Sequence, residues 1–169
     1  QDIERAMENF ISKGFSALPP EHAFYEDKAN RATLKQIQCL HEHDGFFADL
    51  FNDKPKQLAE ELLGEAVVCR NLQFFNKPPG IGKATPPHQD GYYFMIEPCQ
   101  ALTMWLALDN VDEENGCVRY VRGTHHDGMR PHQRSNVIGF SQGITDYGDA
   151  DTAREEPVHA KPGDLFAHH

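Results

Sequence analysis

The stretch Pro86-Pro87-His88-Gln89-Asp90-Gly91 organises the chain. Read as part of an extended strand, it sends successive side chains to opposite faces. The imidazole of His88 and the carboxylate of Asp90 then project together, with Gln89 turned away. Two neighbouring donors of this kind, joined by one imidazole from a distant strand, make a 2-His-1-carboxylate facial triad. Such a triad holds one face of an Fe(II) octahedron and leaves the opposite face open. A three-residue pattern recurs by chance, so its meaning rests on the residues around it.

Working outward, the segments on the C-terminal side read as short strands: His88 to Ile96, Ala101 to Leu108, Cys117 to Val121, Asn136 to Phe140, Val158 to Ala160 and Asp164 to Ala167. Val67 to Phe75 precedes them as another β-rich run, broken by Lys77-Pro78-Pro79-Gly80. Turns are marked by Asn115-Gly116, Arg122-Gly123 and Pro162-Gly163-Asp164. Many short strands between turns predict a sandwich or barrel rather than a parallel sheet with crossover helices. Within Ala101 to Leu108, Leu102, Met104, Leu106 and Leu108 form an apolar packing stripe. Thr103, Trp105 and Ala107 form a mixed face suited to a pocket wall.

The first third reads differently. Ile3, Ala6, Met7, Phe10 and Ile11 predict an amphipathic helix over 2–13 that ends near Gly14. Leu34, Ile37 and Leu40 predict a second over 31–43, with His41 and His43 on or beside it as packing residues. A third starts near Lys54-Pro55, with Asn52 or Asp53 as cap, and ends at Gly64. The expected organisation is one domain over 1–169: a helical flank over 1–64 and a β core over 65–169.

Composition narrows the function. The 169 residues suffice for one domain with a real core, and 39% of them are hydrophobic. No apolar run approaches the roughly 18 residues of a membrane span, and no signal-peptide pattern opens the chain. A net charge of −10 argues against nucleic-acid and anionic-membrane partners. Cys39, Cys69, Cys99 and Cys117 are far apart, with no C-x-x-C pair. Free thiols in a reducing cytoplasm are the expectation.

His88-Gln89-Asp90-Gly91, Leu102 to Asp109, Asn115-Gly116-Cys117, Gly123-Thr124-His125 and Pro162-Gly163-Asp164-Leu165-Phe166 succeed one another in a fixed order, preceded by Asn76 to Gly80. This ordered set resembles the phytanoyl-CoA dioxygenase family of Fe(II)/2-oxoglutarate-dependent oxygenases, over about residues 67–169. The resemblance implies a mainly β fold, a double-stranded β-helix (jelly roll, cupin-like) with flanking helices. It also implies hydroxylation of a small molecule by O₂, with 2-oxoglutarate as co-substrate. His88 and Asp90 match two of the iron ligands. Trp105 matches a pocket aromatic near the co-substrate, and Gln73 a side chain facing 2-oxoglutarate. Tyr92 and Phe94, if the strand is unbroken, share the face of His88 and Asp90 and line the substrate mouth.

The third histidine of the family comes about ten residues after the Pro162-Gly163-Asp164 turn, and an arginine anchoring 2-oxoglutarate comes later still. His168 and His169 match a pair that precedes that ligand, so the third ligand is expected beyond His169 and the core is expected to be truncated. His168, His169 and His125 are substitutes that no spacing singles out. Two other readings stay open. One is a catalytically silent jelly-roll binding or interaction domain with an incomplete metal site. The other is a cupin-like Zn or Mn enzyme that does not use 2-oxoglutarate. Neither substrate nor oligomeric state is legible.

Overall fold

Two short helices and a central strand carry the first core. The computed structural model describes residues 2–14 and 18–169, and the chain divides into a unit over Gln1–Gly82 and another over Lys83–His169. In the first unit, α1 (Asp2–Asn9) continues into a π-helical turn over Phe10–Gly14, matching the expected span. Its apolar spacing buries Met7 and Phe10, and the Phe10 ring meets Phe47 edge-on at 5.9 Å.

The expected helix over 31–43 is not there. A 3-10 turn (Arg31–Thr33) leads into a strand, β2 (Leu34–Ile37), and only Leu40–His43 is helical, as α2. β2 lies between β1 (Ala23–Tyr25) and β3 (Phe74–Phe75) in an antiparallel sheet of order β1-β2-β3. Leu34, Ile37 and Leu40 suit either period, but the residues between them decide the outcome. As a central strand, β2 buries both faces, Lys35 and Gln36 included. Partners from outside the segment make that possible: Glu26 takes Lys35 Nζ at 2.7 Å, and Gln73 takes the Gln36 amide at 2.7 Å. No local pattern announces those partners. The N-terminal third is therefore mixed rather than purely helical.

Asp44 caps α3 (Gly45–Asn52), a helix that the apolar spacing does not announce, by accepting the Phe46 N–H at 2.9 Å. α4 (Lys54–Leu63) begins and ends as expected, with Pro55 in its first turn. Gly64 (φ +74°) closes it, its N–H bonded to the Glu60 carbonyl. Of the β-rich run over 67–75, only Phe74–Phe75 is paired in the sheet.

The second unit is built from antiparallel pairs. β4 (Thr103–Leu106) pairs with β9 (Leu165–His168), and β5 (Arg119–Val121) with β8 (Glu155–Pro157). β6 (His132–Val137) and β7 (Phe140–Ile144) form a hairpin whose turn includes Gly139 at φ +81°. A bridge joins Val111 to Ala160. The predicted strands over 101–108, 117–121 and 164–167 recur in shortened or shifted form. Three do not: Asn136 to Phe140 spans the β6–β7 turn, Val158 to Ala160 holds only the bridge at Ala160, and at His88 to Ile96 the chain turns into a helix, α5 (Asp90–Phe94), directly at the motif. α6 (Asp149–Thr152) lies in the acidic stretch before β8. The architecture is a mixture of helices with small antiparallel sheets.

Candidate metal-binding site

The pair His88 and Asp90 survives the change from strand to helix. Gln89 keeps an extended backbone (φ −120°, ψ 126°), so alternation holds through Asp90 before the helix begins. His88 Nε2 and Asp90 Oδ1 lie 3.3 Å apart. Gln89 turns away, and its amide donates to the Gly128 carbonyl at 2.9 Å while accepting the Arg130 N–H at 2.7 Å. Because α5 replaces the expected strand, Tyr92 and Phe94 do not continue the face of His88. Tyr92 stacks on His132 at 4.1 Å. Tyr93 instead approaches the His88 ring, at 5.8 Å, and Phe140 flanks the same ring at 4.9 Å.

The hairpin β6–β7 fixes the motif by its backbone. Ile144 N–H donates to the Pro87 carbonyl at 2.8 Å. His132 Nδ1 bonds the Arg130 carbonyl at 2.9 Å, which assigns the proton there and leaves Nε2 to accept the Gln89 N–H at 3.1 Å. Tyr93 O–H donates to the Gln142 carbonyl and accepts the Gln142 N–H. Arg130 is itself held by Asp146 and Asp151, so the acidic stretch over 146–156 is partly a structural clamp rather than a solvated loop.

Protonation is set by the same contacts. His88 Nδ1 bonds the Pro86 carbonyl at 2.8 Å, which aims Nε2 at Asp90. A bare nitrogen facing a carboxylate oxygen is a repulsive contact, so this geometry calls for a cation between or upon them. Burial alone would lower the His88 pKa, but the Asp90 carboxylate and the Pro86 carbonyl together raise it. Burial would likewise raise Asp90, yet hydrogen bonds from His168, His88 and Thr103 outweigh it and hold the carboxyl far below its usual range.

His168 arrives through the β4–β9 register, in which it lies opposite Thr103. Its Nε2 is 3.0 Å from Asp90 Oδ2, and its Nδ1 is 2.8 Å from the Tyr120 hydroxyl. Thr103 Oγ1 donates to the same Oδ2 at 2.6 Å. The two imidazoles thus address opposite oxygens of Asp90. Among the described residues they do not converge with it into three donor atoms all within 4.8 Å of one another. Trp105 shares the strand face of Thr103, opposite Phe166, with ring centroids 5.7 Å apart. Gln73 belongs to the first unit, where its carbonyl accepts the Gln36 amide.

Sequence reasoning found His88 and Asp90 but not their supports: His132, Thr103, Tyr120 and the placement of His168. A pairing register and a hairpin bring these together, and neither leaves a local signature. The donor set, one imidazole and one carboxylate oxygen near the roughly 3 Å edge of an octahedral site, fits a first-row divalent metal.

The structure therefore sets the H-x-D pair His88 and Asp90 side by side at the start of α5, braced by small antiparallel β ladders. A family model described as "Phytanoyl-CoA dioxygenase (PhyH)" matches residues 1–169, and the chain belongs to that family. It is 29% identical over 143 residues to the mouse protein named "Phytanoyl-CoA dioxygenase, peroxisomal", covering 80% of this chain and 42% of the mouse one. The human protein of that name is 32% identical over 143 residues, with the same coverage. An Arabidopsis thaliana phytanoyl-CoA dioxygenase is 30% identical over 160 residues, covering 86% of this chain and 56% of its own. The chain spans about half the length of these curated relatives. Among the described residues no helix is long and apolar enough to cross a membrane.

Proposed function

We propose that this chain contributes the iron-binding arm of an Fe(II)/2-oxoglutarate-dependent dioxygenase that hydroxylates a small molecule. The observation that carries this is the aim of His88 Nε2 at Asp90 Oδ1, 3.3 Å apart, with Nδ1 tied to Pro86. In this reading His88 and Asp90 hold the metal, Asp90 through Oδ1. When bound, iron with 2-oxoglutarate supplies the power to activate O₂ for C–H hydroxylation. His168, Thr103 and Tyr120 keep the carboxylate oriented by occupying Oδ2, the task of partners that stand behind metal ligands. His168 spends both nitrogens on Asp90 and Tyr120, so the reading takes the third imidazole from residues beyond His169.

Trp105, on the face of Thr103, is the candidate wall of the 2-oxoglutarate site. The ladders β4–β9, β5–β8 and β6–β7 would be arms of a jelly roll. Arg119, Arg122 and Arg130 are each paired with acidic neighbours, which disfavours them as a phosphate-binding entrance for a CoA ester. The four cysteines are free, as suits a reducing compartment. The sequence reading takes that compartment as cytoplasmic, whereas the mammalian relatives' names say peroxisomal.

A silent binding domain remains the second reading, supported by the lack of three converging donors around Asp90 among the described residues. Anaerobic Fe(II) titration with 2-oxoglutarate separates the two. A visible charge-transfer band that disappears in Asp90→Ala, with far-UV circular dichroism unchanged, supports the oxygenase. A band that survives Asp90→Ala refutes the assignment of the arm. No band, in this chain or in the longest polypeptide that contains it, favours the silent domain.

A further inference from the structure

A second cluster of metal-binding side chains lies in the first unit, and the oxygenase reading does not use it. His22 ends the 3-10 turn Pro20–His22, just before β1. Cys39 stands at the start of α2, and Glu42 and His43 lie on that helix. Among the described residues, ligand atoms of His22, Cys39 and Glu42 all lie within 4.8 Å of one another. His43 Nε2 is 2.9 Å from His22 Nδ1, with the ring centroids 5.2 Å apart. One imidazole, a thiol and a carboxylate from two separate segments therefore meet at one place, and a second imidazole, His43, is hydrogen-bonded to the first.

The backbone is arranged to bring them there. Gln38 N–H donates to the His22 carbonyl at 2.8 Å, so the edge of the sheet sets His22 beside the start of α2. Cys39 adopts a left-handed conformation (φ 56°, ψ 36°), uncommon for a residue with a Cβ. Its N–H is taken by Asn71 Oδ1 at 3.1 Å. Glu42, three residues on, falls on the same side of the first helical turn as Cys39. Its exposed carboxylate can swing without disturbing the fold.

We propose that His22, Cys39, Glu42 and His43 form a structural site for Zn(II). The chemistry selects the metal: a thiolate and two imidazoles suit zinc and disfavour Ca²⁺ and Mg²⁺, which take oxygen ligands. Tetrahedral zinc with bonds of about 2.0–2.3 Å separates its ligand atoms by roughly 3.3–3.7 Å. The His22, Cys39 and Glu42 donors lie within about an ångström of that, a distance that side-chain rotation covers, and His43 would complete the set by turning its ring from His22 to the metal. Four protein ligands close the coordination sphere, so the site clamps the strand β1 to α2 rather than activating water. Binding exchanges the thiol proton for the metal: Cys39–SH and Zn²⁺ give Cys39–S–Zn and one released proton. Burial and the Glu42 carboxylate raise the Cys39 pKa in the metal-free chain, an arrangement that a dication reverses.

The test is a Co(II) titration of the full chain carrying Asp90→Ala, under anaerobic and reducing conditions. That background removes the other candidate arm, so the result is independent of the oxygenase reading. The expected result is one equivalent of Co(II), with near-ultraviolet thiolate charge-transfer absorption and the intense visible bands of a tetrahedral ion. Zn(II) should displace it. The charge-transfer band should vanish in Cys39→Ser, and affinity should fall about tenfold or more in Glu42→Gln and in His43→Gln. If Cys39→Ser fails to fold, the exposed Glu42→Gln and the His43→Gln variants decide the matter. Binding without a thiolate band, or affinity unchanged in both of those variants, overturns the proposal.

Discussion

Replacing His132 with Phe is the sharpest probe of how the motif is positioned. Phe keeps a flat ring to stack on Tyr92, 4.1 Å away, but deletes the nitrogen that accepts the Gln89 N–H. Gln89 is the residue between His88 and Asp90, so the loss falls on the backbone that joins the two proposed ligands. A part-buried amide left without its acceptor costs about 1–3 kcal/mol. For a chain of this size each kcal/mol shifts Tm by about 2–4 °C, so a fall of roughly 2–12 °C is expected. The functional consequence is separable. Loosening the backbone beneath two ligands should cost about 10–100-fold in Fe(II) affinity, read by anaerobic titration. His132→Gln can present an amide oxygen to the same N–H and should recover part of both losses. If His132→Phe lowers Tm but binds Fe(II) as the unmodified chain does, the hairpin supports the fold and not the site. Wild-type behaviour in both assays refutes the reasoning outright.

Gly91→Ala should destabilise by about 1–3 kcal/mol in chemical denaturation, because its Cβ would collide with Cys99 Sγ and sit 2.9 Å from Met129 Cε. A neutral or stabilising result would show that both side chains yield. Asp151→Asn should flatten the acid limb of stability. Hydrogen bonds from Arg130 and the Gly148 N–H lower the Asp151 pKa to about 2 in the fold, against about 3.9 unfolded. The depressed value means stability that is present above pH 4 and lost as pH falls toward 2, so Tm measured from pH 6 to 2 should drop less steeply in the variant. Lys35→Met should cost about 3–5 kcal/mol, since both Lys35 and Glu26 are 1% exposed and the change removes the ammonium that pairs with a buried carboxylate. Adding Glu26→Leu should restore much of that; a double variant as unstable as the single one would show that the pair is not what matters.

Local chemistry determined much of this protein. Pro55 and Gly64 bracket α4, and the turn signals at Asn115-Gly116 and Pro162-Gly163 separate short strands, because such residues act on their own backbone. The alternation across His88-Gln89-Asp90 needed no more than an extended Gln89, and the ordered motifs announced the family now matched across residues 1–169. Tyr92-Tyr93-Phe94 departs from the strand that its pattern predicts, and α5 is held by partners distant in sequence: Tyr92 stacks on His132, Tyr93 bonds Gln142, and Gly91 lies close against Cys99 and Met129. Residues 34–37 became a strand for the same kind of reason: two flanking strands, together with Glu26 and Gln73, supply partners for a buried lysine and for the amide N–H of a buried glutamine. The partners of the site were likewise decided by register. Thr103 and His168 are far apart in sequence but directly opposed across β4 and β9, and both reach Asp90 Oδ2. Residue type and spacing set which groups can bind metal or turn the chain. Which of them meet depends on long-range pairing, whose energy is shared among many residues and therefore written in none of them alone.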